Sequence, residues 1–182
     1  LLRAQGNKNP LCLIQDVVTR WWSTYSMISR LLLLKGHIIN LQNDNTIPND
    51  LHLNSHHWLI LEDIKELLTP FYAAQLALES EKSVTNSLIP YTINKIREDL
   101  KNISNMTNIT VGSRELALKM IINFNERWNT DISGSVCQEN EIRGHRNRQK
   151  GIPKLTLMAA ALDPRTKDLD GVPKDDHDTI WN

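Results

Sequence analysis

Three adjacent side chains near the start of the chain, Arg20, Trp21 and Trp22, have the chemistry to bind a flat ligand. Successive helical positions point roughly 100° apart, so the two indoles do not share the centre of one buried stripe. We therefore expect one of them at an edge or on the surface, where its ring is open to a partner. A nucleic-acid base is the commonest ligand of this shape. Packing of one indole in the core, with the other half-covered, is the alternative.

A basic cluster in an otherwise neutral polar stretch is the second candidate site. It consists of Arg143, Arg146, Arg148 and Lys150, with His145 among them. Such a cluster contacts phosphates with little sequence preference, and binding of that kind weakens as salt rises. A solvated loop with no ligand is the alternative.

Other chemistries find little support in the sequence. His52, His56 and His57 stand near Asp50, but at the boundary of a loop and a helix and without an H-E-x-x-H motif, so we predict no metal site. The two cysteines, Cys12 and Cys137, form no zinc or disulfide pattern and suit a reducing compartment. Motifs for a serine nucleophile or a glycine-rich phosphate loop are also missing, so we predict no catalytic residue in this chain.

The length and net charge of the chain limit the number of domains and the kinds of partner that it can have. The chain has 182 residues, enough for one domain with a core, and 21 basic residues balance 21 acidic ones. Contact with DNA would therefore depend on a local patch and not on net charge. No apolar run approaches 18 residues, and the chain opens on Leu1, so we expect an internal fragment of a soluble protein with no membrane partner.

The elements that position these side chains can be read from apolar spacing. Residues 11–18 form an apolar run after a turn, which favours a short strand, and Asp16 near its end is placed to cap the following turn or helix. That helix carries Trp21, Tyr25, Ile28 and Leu32 on one stripe, with Ser23, Ser26 and Ser29 off it, and reaches about residue 42 with a break near Gly36.

Three further helices are predicted along the chain, followed by a last segment, 155–162, that is either a helix or a buried segment. The first begins at His56 after a Ser55 cap, has Trp58 on its buried face, and is kinked or divided at Pro70. The next two bury faces that share helical spacing, and the last ends at Asp163 because a residue before proline avoids helical geometry. The two faces are Ile89, Ile93, Ile96 and Leu100, then Ala117, Met120, Ile121, Phe124 and Trp128. An ion pair or cap is the expected role of Asp163 and Arg165, and the tail from residue 169 carries no pattern that we can interpret.

Three blocks of the sequence resemble one known family. Residues 16–27, DVVTRWWSTYSM, are similar to the D-V-x-T-R-W-N-S-T-Y-x-M-L block of hAT-superfamily transposases and the related BED-zinc-finger proteins, with Trp22 in place of Asn. Residues 58–85 resemble the family's E-W-x-x-L…L-L-x-P-F…T-x-x-L-E…T block, with His57 where Glu is common. Residues 154–168 resemble its L-x-A-x-x-L-D-P-R-x-K block. The blocks stand in the family's order.

The resemblance implies a fold and a partner. It implies a mainly α chain, the helical insertion domain of an RNase H-like α/β transposase core, with one short strand near the N-terminus. The corresponding parts are an edge of the core at 1–19, the helical bundle at 20–130, a polar and basic loop at 131–153, and a returning segment at 154–182.

The resemblance also implies a role for individual residues. Arg20 and Trp21 match the family's DNA-handling pair, so the expected partner is DNA in the nucleus. The full-length family uses Mg²⁺ or Mn²⁺, held by carboxylates that lie outside this chain. We therefore expect this chain to have no cofactor and no strand-cleavage activity. A helical module for protein interaction or homo-oligomer formation, and a degraded copy without function, are the alternatives.

Overall fold

The computed structural model describes residues 11–17, 22–79, 84–128 and 151–170, together with positions 172, 174, 177 and 180. Most of these residues are helical, and none of them lies in a strand. The prediction of a mainly α chain is therefore confirmed. Arg20, Trp21 and most of the predicted loop at 131–153 lie outside the described residues.

Six α-helices and two short 3-10 turns make up the described structure. The turns are Asn49–Leu51 and Asn86–Leu88. The helices are α1 Ser23–Leu33, α2 Lys35–Asn43, α3 Ser55–Leu78, α4 Ile89–Ser104, α5 Val111–Trp128 and α6 Lys154–Leu162. The chain divides into two compact units, residues 1–69 and 70–182, and the division falls inside α3.

The strand predicted for residues 11–18 is absent from the part that the structure describes. Residues 11–17 adopt neither helix nor strand, and the apolar side chains of Leu11, Leu13 and Val17 are exposed. A strand needs a neighbouring ladder for its backbone N–H and C=O groups. None of the described residues supplies one, so apolar content alone did not make this segment a strand.

In the first unit, the break between α1 and α2 lies at Leu34, two positions before the predicted glycine. Leu34 is buried, and its backbone N–H donates to the carbonyls of Arg30 and Leu31 at 3.1 and 3.2 Å. Gly36 lies inside α2 in open space, where a Cβ would meet nothing within 4 Å. The prediction of a break in this helix is thus confirmed, but the break lies at the buried Leu34 and not at Gly36.

Helix α3 begins with a reciprocal cap. The backbone N–H of His57 donates to Asn54 Oδ1 at 2.9 Å, and the Asn54 N–H donates to His57 Nδ1 at 3.3 Å. This is the capping-box arrangement, with His57 at the third helical position where Glu or Gln is usual. The cap is therefore Asn54, and the prediction of Ser55 is wrong by one residue.

Pro70 lies within α3 without ending it, so of the two alternatives, a kink or two abutting helices, the division into two helices does not occur. Proline lacks the N–H that would bond the carbonyl four residues earlier. The preceding Thr69 donates its hydroxyl to the Lys65 carbonyl at 2.8 Å, a side-chain bond within the same turn. Such bonds are typical of helix positions that bend.

The second unit is built on α4, which packs against α5 and α6. Its predicted stripe is confirmed, because Ile93, Ile96 and Leu100 are all buried and Leu100 has no exposed surface. In α5, Ala117 is fully buried, and Phe124 contacts Phe71 edge to face with ring centres 6.1 Å apart. Pro90 stands in the first turn of α4, where its missing N–H costs no helical bond.

The tail from residue 169 contributes to this core, although the sequence pattern did not identify it. One buried cluster joins α4 and α6 to residues on both sides of α6. Its members are Ile93, Ile152, Leu157, Ala160, Leu169, Val172 and Ile180. The tail's apolar residues are isolated among charged ones, so they produce no helical or strand period.

Candidate nucleic-acid interface

The start of α1 is held by side-chain hydrogen bonds from the preceding segment. Ser23, the first residue of the helix, is buried and donates its hydroxyl to the Asp16 carboxylate. Thr24 Oγ1 lies 3.1 Å from both oxygens of the same carboxylate. We call this arrangement of Asp16, Ser23 and Thr24 the carboxylate clasp.

The Ser23 hydroxyl also bonds the backbone of Val17. The Val17 N–H donates to Ser23 Oγ at 2.9 Å, and the Val17 carbonyl oxygen is 2.9 Å from the same atom. A hydroxyl has one proton, which it donates to one acceptor at a time. The charged carboxylate is the stronger acceptor, because bonds to ionised groups are stronger than neutral ones.

The clasp favours the ionised form of Asp16. Hydrogen bonds from the Ser23 hydroxyl, then from Thr24 and the Val17 backbone, lower the pKa of Asp16 below its ordinary value, although partial desolvation opposes them. Donors that bond a carboxylate favour its charged form. Asp16 was expected to act as a cap, and its observed partners at the helix start are the hydroxyls of the first two helical residues.

Of the side chains that the sequence marks for DNA contact, only Arg20 and Trp21 lie next to this clasp in the chain. Arg20 and Trp21 belong to positions 18–21, and the basic cluster of Arg143, Arg146, Arg148 and Lys150 belongs to 129–150, so all six lie outside the described residues. Trp22 is described, occupies the position before α1, and is 38% exposed. The expectation that one indole of the pair reaches the surface therefore holds for Trp22.

A second polar junction lies in the other unit and joins two of the sequence blocks. Arg165 binds the Asp163 carboxylate in a fork, with Nε at 3.0 Å from Oδ1 and Nη2 at 2.6 Å from Oδ2. Arg165 Nη2 also donates to the Val84 carbonyl at 2.9 Å, and Ser87 donates its hydroxyl to Asp163 at 2.5 Å. The ion pair predicted for Asp163 and Arg165 is confirmed.

The junction is more than a surface ion pair because the carboxylate is largely covered. The Asp163 side chain is 13% exposed, and its donors, Arg165 first and then Ser87, hold its pKa well below the ordinary value. The same pairing raises the pKa of Arg165. Asp163 also has extended backbone geometry, which ends α6 before Pro164 as predicted.

A shallow cavity of about 70 Å³ lies beside this junction, bordered by Ser87, Tyr91 and Arg165 among others. Pockets that hold drug-sized ligands measure roughly 300 to 1,000 Å³. The cavity therefore has room for a few water molecules and not for a nucleotide.

Two of the three histidines near Asp50 have structural partners. His52 Nε2 lies 2.9 Å from the Ile47 carbonyl, and His57 completes the cap of α3. Within the described ranges, no three His, Cys, Asp or Glu side chains lie where they could share a metal ion.

Sequence reasoning missed the hydroxyl partners of both carboxylates. Ser23 was expected away from the buried stripe, yet it is buried because Asp16 and Val17 satisfy its hydroxyl. A signal was present in the order of residues, since an acid before a helix and a Ser-Thr pair at its start are suited to bond each other. For Ser87 and Asp163, 76 positions apart, no local signal existed.

Comparison with known proteins found no match: no protein-family model, no curated protein and no solved structure matches this chain. Among the described helices, none is both long and apolar enough to cross a membrane.

Proposed function

We propose that this chain is the DNA-binding helical part of a hAT-type transposase or of a domesticated derivative, with an incomplete catalytic site. In this proposal residues 1–19 edge an RNase H-like core, and Arg20 and Trp21 contact the DNA. The basic cluster at 143–150 adds contacts to phosphates. Cleavage by the parent protein would need Mg²⁺ or Mn²⁺ and carboxylates from outside this chain.

The observation that carries the proposal is that motif residues bond one another within the first block and between the second and third blocks. Asp16 binds Ser23 and Thr24, which are all part of the first block. Arg165 of the third block binds the Val84 carbonyl of the second block, 81 positions away. Residues that carry the resemblance thus form hydrogen bonds that stabilise the local structure. This supports a fold shared with the family over a chance match of short motifs.

The exposure of Trp22 supports a ligand role for this part of the chain. A tryptophan that is 38% exposed offers a stacking face at moderate cost. The formal charge of the chain is zero, so attraction to DNA depends on where the basic residues are placed. Binding should accordingly prefer single-stranded or hairpin-ended DNA, whose bases are open, over blunt duplex.

The test is fluorescence anisotropy of labelled hairpin-ended, single-stranded and blunt DNA titrated with the purified chain at about 50 and 200 mM salt. Trp21→Ala should lose about 1 to 3 kcal/mol of binding free energy if a base stacks there. Arg20→Ala should lower the salt slope by about one, as expected for a lost phosphate contact. Lys119→Ala, an exposed lysine on α5, is the charge-matched control.

A folded chain that binds none of these DNAs would contradict the proposal. The second candidate, a module for protein interaction or homo-oligomer formation, would then be favoured. The observation behind it is a stripe of exposed apolar residues on α5, formed by Val111, Leu118 and Ile122. Light scattering of the wild-type chain and of Leu118→Lys would test this candidate, because the substitution should dissociate an oligomer formed through the stripe.

A further inference from the structure

Helix α5 has a stripe of apolar side chains that face outward. Val111, Leu118 and Ile122 are 72%, 49% and 57% exposed, and their spacings of seven and four residues place them on one side of the helix. The fully buried Ala117 lies on another side of the same helix. Helix α5 therefore has one face in the core and a second apolar face that is exposed.

Two exposed charged side chains lie next to Leu118 on this side of the helix. Glu115 is three positions before Leu118, and Lys119 directly follows it. Neither belongs to an ion pair with another of the described residues, although their spacing of four residues would allow them to pair within one helix. An acid and a base are thus available to an outside partner at the middle of the apolar stripe.

The order of these side chains matches a second copy of the same helix. In an antiparallel pair related by a two-fold axis, each contact occurs twice, because residue i meets residue j and j meets i. When Val111 lies opposite the partner's Ile122, the two Leu118 side chains lie beside the axis. In the same register, Glu115 comes within one residue of the partner's Lys119. The stripe is therefore complementary to itself in both apolar and charged contacts.

A parallel pair of the same helices would not have this complementarity. It would place each of the two charged side chains opposite its own copy, and like charges at close range are destabilising. The charges therefore favour the antiparallel arrangement.

We propose that the exposed stripe of α5 is a homodimer interface, in which two copies of the helix pair antiparallel through Val111, Leu118 and Ile122 and through two contacts of Glu115 with Lys119. This inference does not depend on DNA binding, and it gives the second candidate function a defined partner and geometry. The apolar side chains stabilise the pair by leaving water, and the charges fix the direction and register of the two helices. The interface is small, so its dissociation constant should be micromolar or weaker.

The experiment is a charge-reversal cycle, measured by sedimentation equilibrium of the full 182-residue chain without DNA. It compares the dimer dissociation constants of wild type, Glu115→Lys, Lys119→Glu and the double variant at about 50 mM salt, where charges are weakly screened. Glu66→Lys, at an exposed glutamate of α3, is the charge-matched control. Circular dichroism checks that each variant folds, which we expect because the substituted side chains are exposed.

We expect each single reversal to raise the dissociation constant about five- to tenfold, because it replaces two attractive contacts by two repulsive ones. The double variant should return to within about twofold of wild type, since the pairs form again with their charges exchanged. A different partner protein would not give this recovery, because only a second copy of the chain carries both changes. Glu66→Lys should leave the dissociation constant unchanged.

Two leucines of α5 test the apolar part of the interface. Leu118 lies on the stripe, whereas Leu116 is also exposed but lies on another side of the helix. Leu118→Lys should raise the dissociation constant more than about tenfold, because it brings two charges together at the axis and removes them from water. Leu116→Lys should leave the dissociation constant at its wild-type value.

Three results would overturn the inference. They are a folded wild-type chain that stays monomeric at about 1 mM, a double variant that dimerises no better than the single reversals, and equal effects of Leu116→Lys and Leu118→Lys. None of these results depends on whether the chain binds DNA. Because Lys119→Ala, the control of the DNA titration, alters this interface, that titration is run at chain concentrations at which wild type is monomeric.

Discussion

At the scale of single residues, two partly buried aspartates, Asp16 and Asp163, each hold a local network of hydrogen bonds. Asp16 accepts a hydrogen bond from the Ser23 hydroxyl, and Asp163 accepts one from the Ser87 hydroxyl. The pairing of Asp163 with Arg165 could be predicted, because the two residues flank a proline and are close in sequence. The contribution of Ser87 could not, since only the tertiary fold brings it to Asp163.

The junction at Asp163 predicts a dependence of stability on pH. Its pKa is lowered in the folded chain from an ordinary 3.8, so its contribution is complete above that value and is lost as pH falls through the folded pKa. Asp16 shifts in the same direction. The melting temperature should therefore be steady from about pH 7 to 5 and fall below about pH 4.

Asp163→Asn is the variant that isolates this junction. It keeps the size of the side chain but cannot be an ionised partner for Arg165, so its melting temperature should be lower at pH 7 and should fall less between about pH 4 and 2. Asp170→Asn, at an exposed aspartate nearby in the chain, is the control. Equal acid sensitivity of wild type and Asp163→Asn would show that other carboxylates dominate.

At the scale of elements, regular apolar spacing was sufficient to predict the buried face of a helix, but the sequence did not predict every helix boundary correctly. The stripe of α4 was predicted because Ile93, Ile96 and Leu100 repeat at helical intervals. The start of α3 was misplaced by one residue, because Asn and Ser are both good caps and stand side by side. The prediction of a strand at 11–17 was wrong for a different reason. A strand needs a second strand to pair with, and its own sequence does not show whether one is present.

The cap of α3 predicts unequal effects for two adjacent substitutions. Asn54→Ala removes the acceptor of the His57 N–H and should destabilise the chain by about 1 kcal/mol, whereas Ser55→Ala should be close to neutral. His57→Glu should preserve stability, because Glu suits the third position of a capping box. Urea denaturation of the three variants measures these differences, and a larger loss for Ser55→Ala would contradict the assignment.

At the scale of the whole molecule, the chain divides into two compact units. The second unit has a continuous apolar cluster, and it recruits residues from α4, α6 and the tail. These long-range contacts could not be predicted from the sequence, because Leu169, Val172 and Ile180 follow no helical or strand period. The DNA contact expected at Arg20 and Trp21 stays a prediction, since neither residue is among those that the structure describes.

The role of the tail predicts a large effect from a residue near its end. Ile180 is 1% exposed and belongs to the apolar cluster, so Ile180→Ala should destabilise the second unit by about 2 to 5 kcal/mol. Leu155→Ala, on an exposed face of α6, should change stability by less than about 0.5 kcal/mol. The midpoint of urea unfolding measures both, and equal shifts would contradict a structural role for the tail.

The distance in sequence between α4 and the tail has a consequence during synthesis. Ribosomes add about 5 to 20 residues per second, so the interval between the emergence of Ile93 and that of Ile180 is on the order of ten seconds. During that time α4 can pair with α5, but the side of Ile93 that meets the tail has no partner yet. A nascent chain of this protein therefore presents an apolar surface that chaperones can recognise, and it closes that surface only when Ile180 has been made.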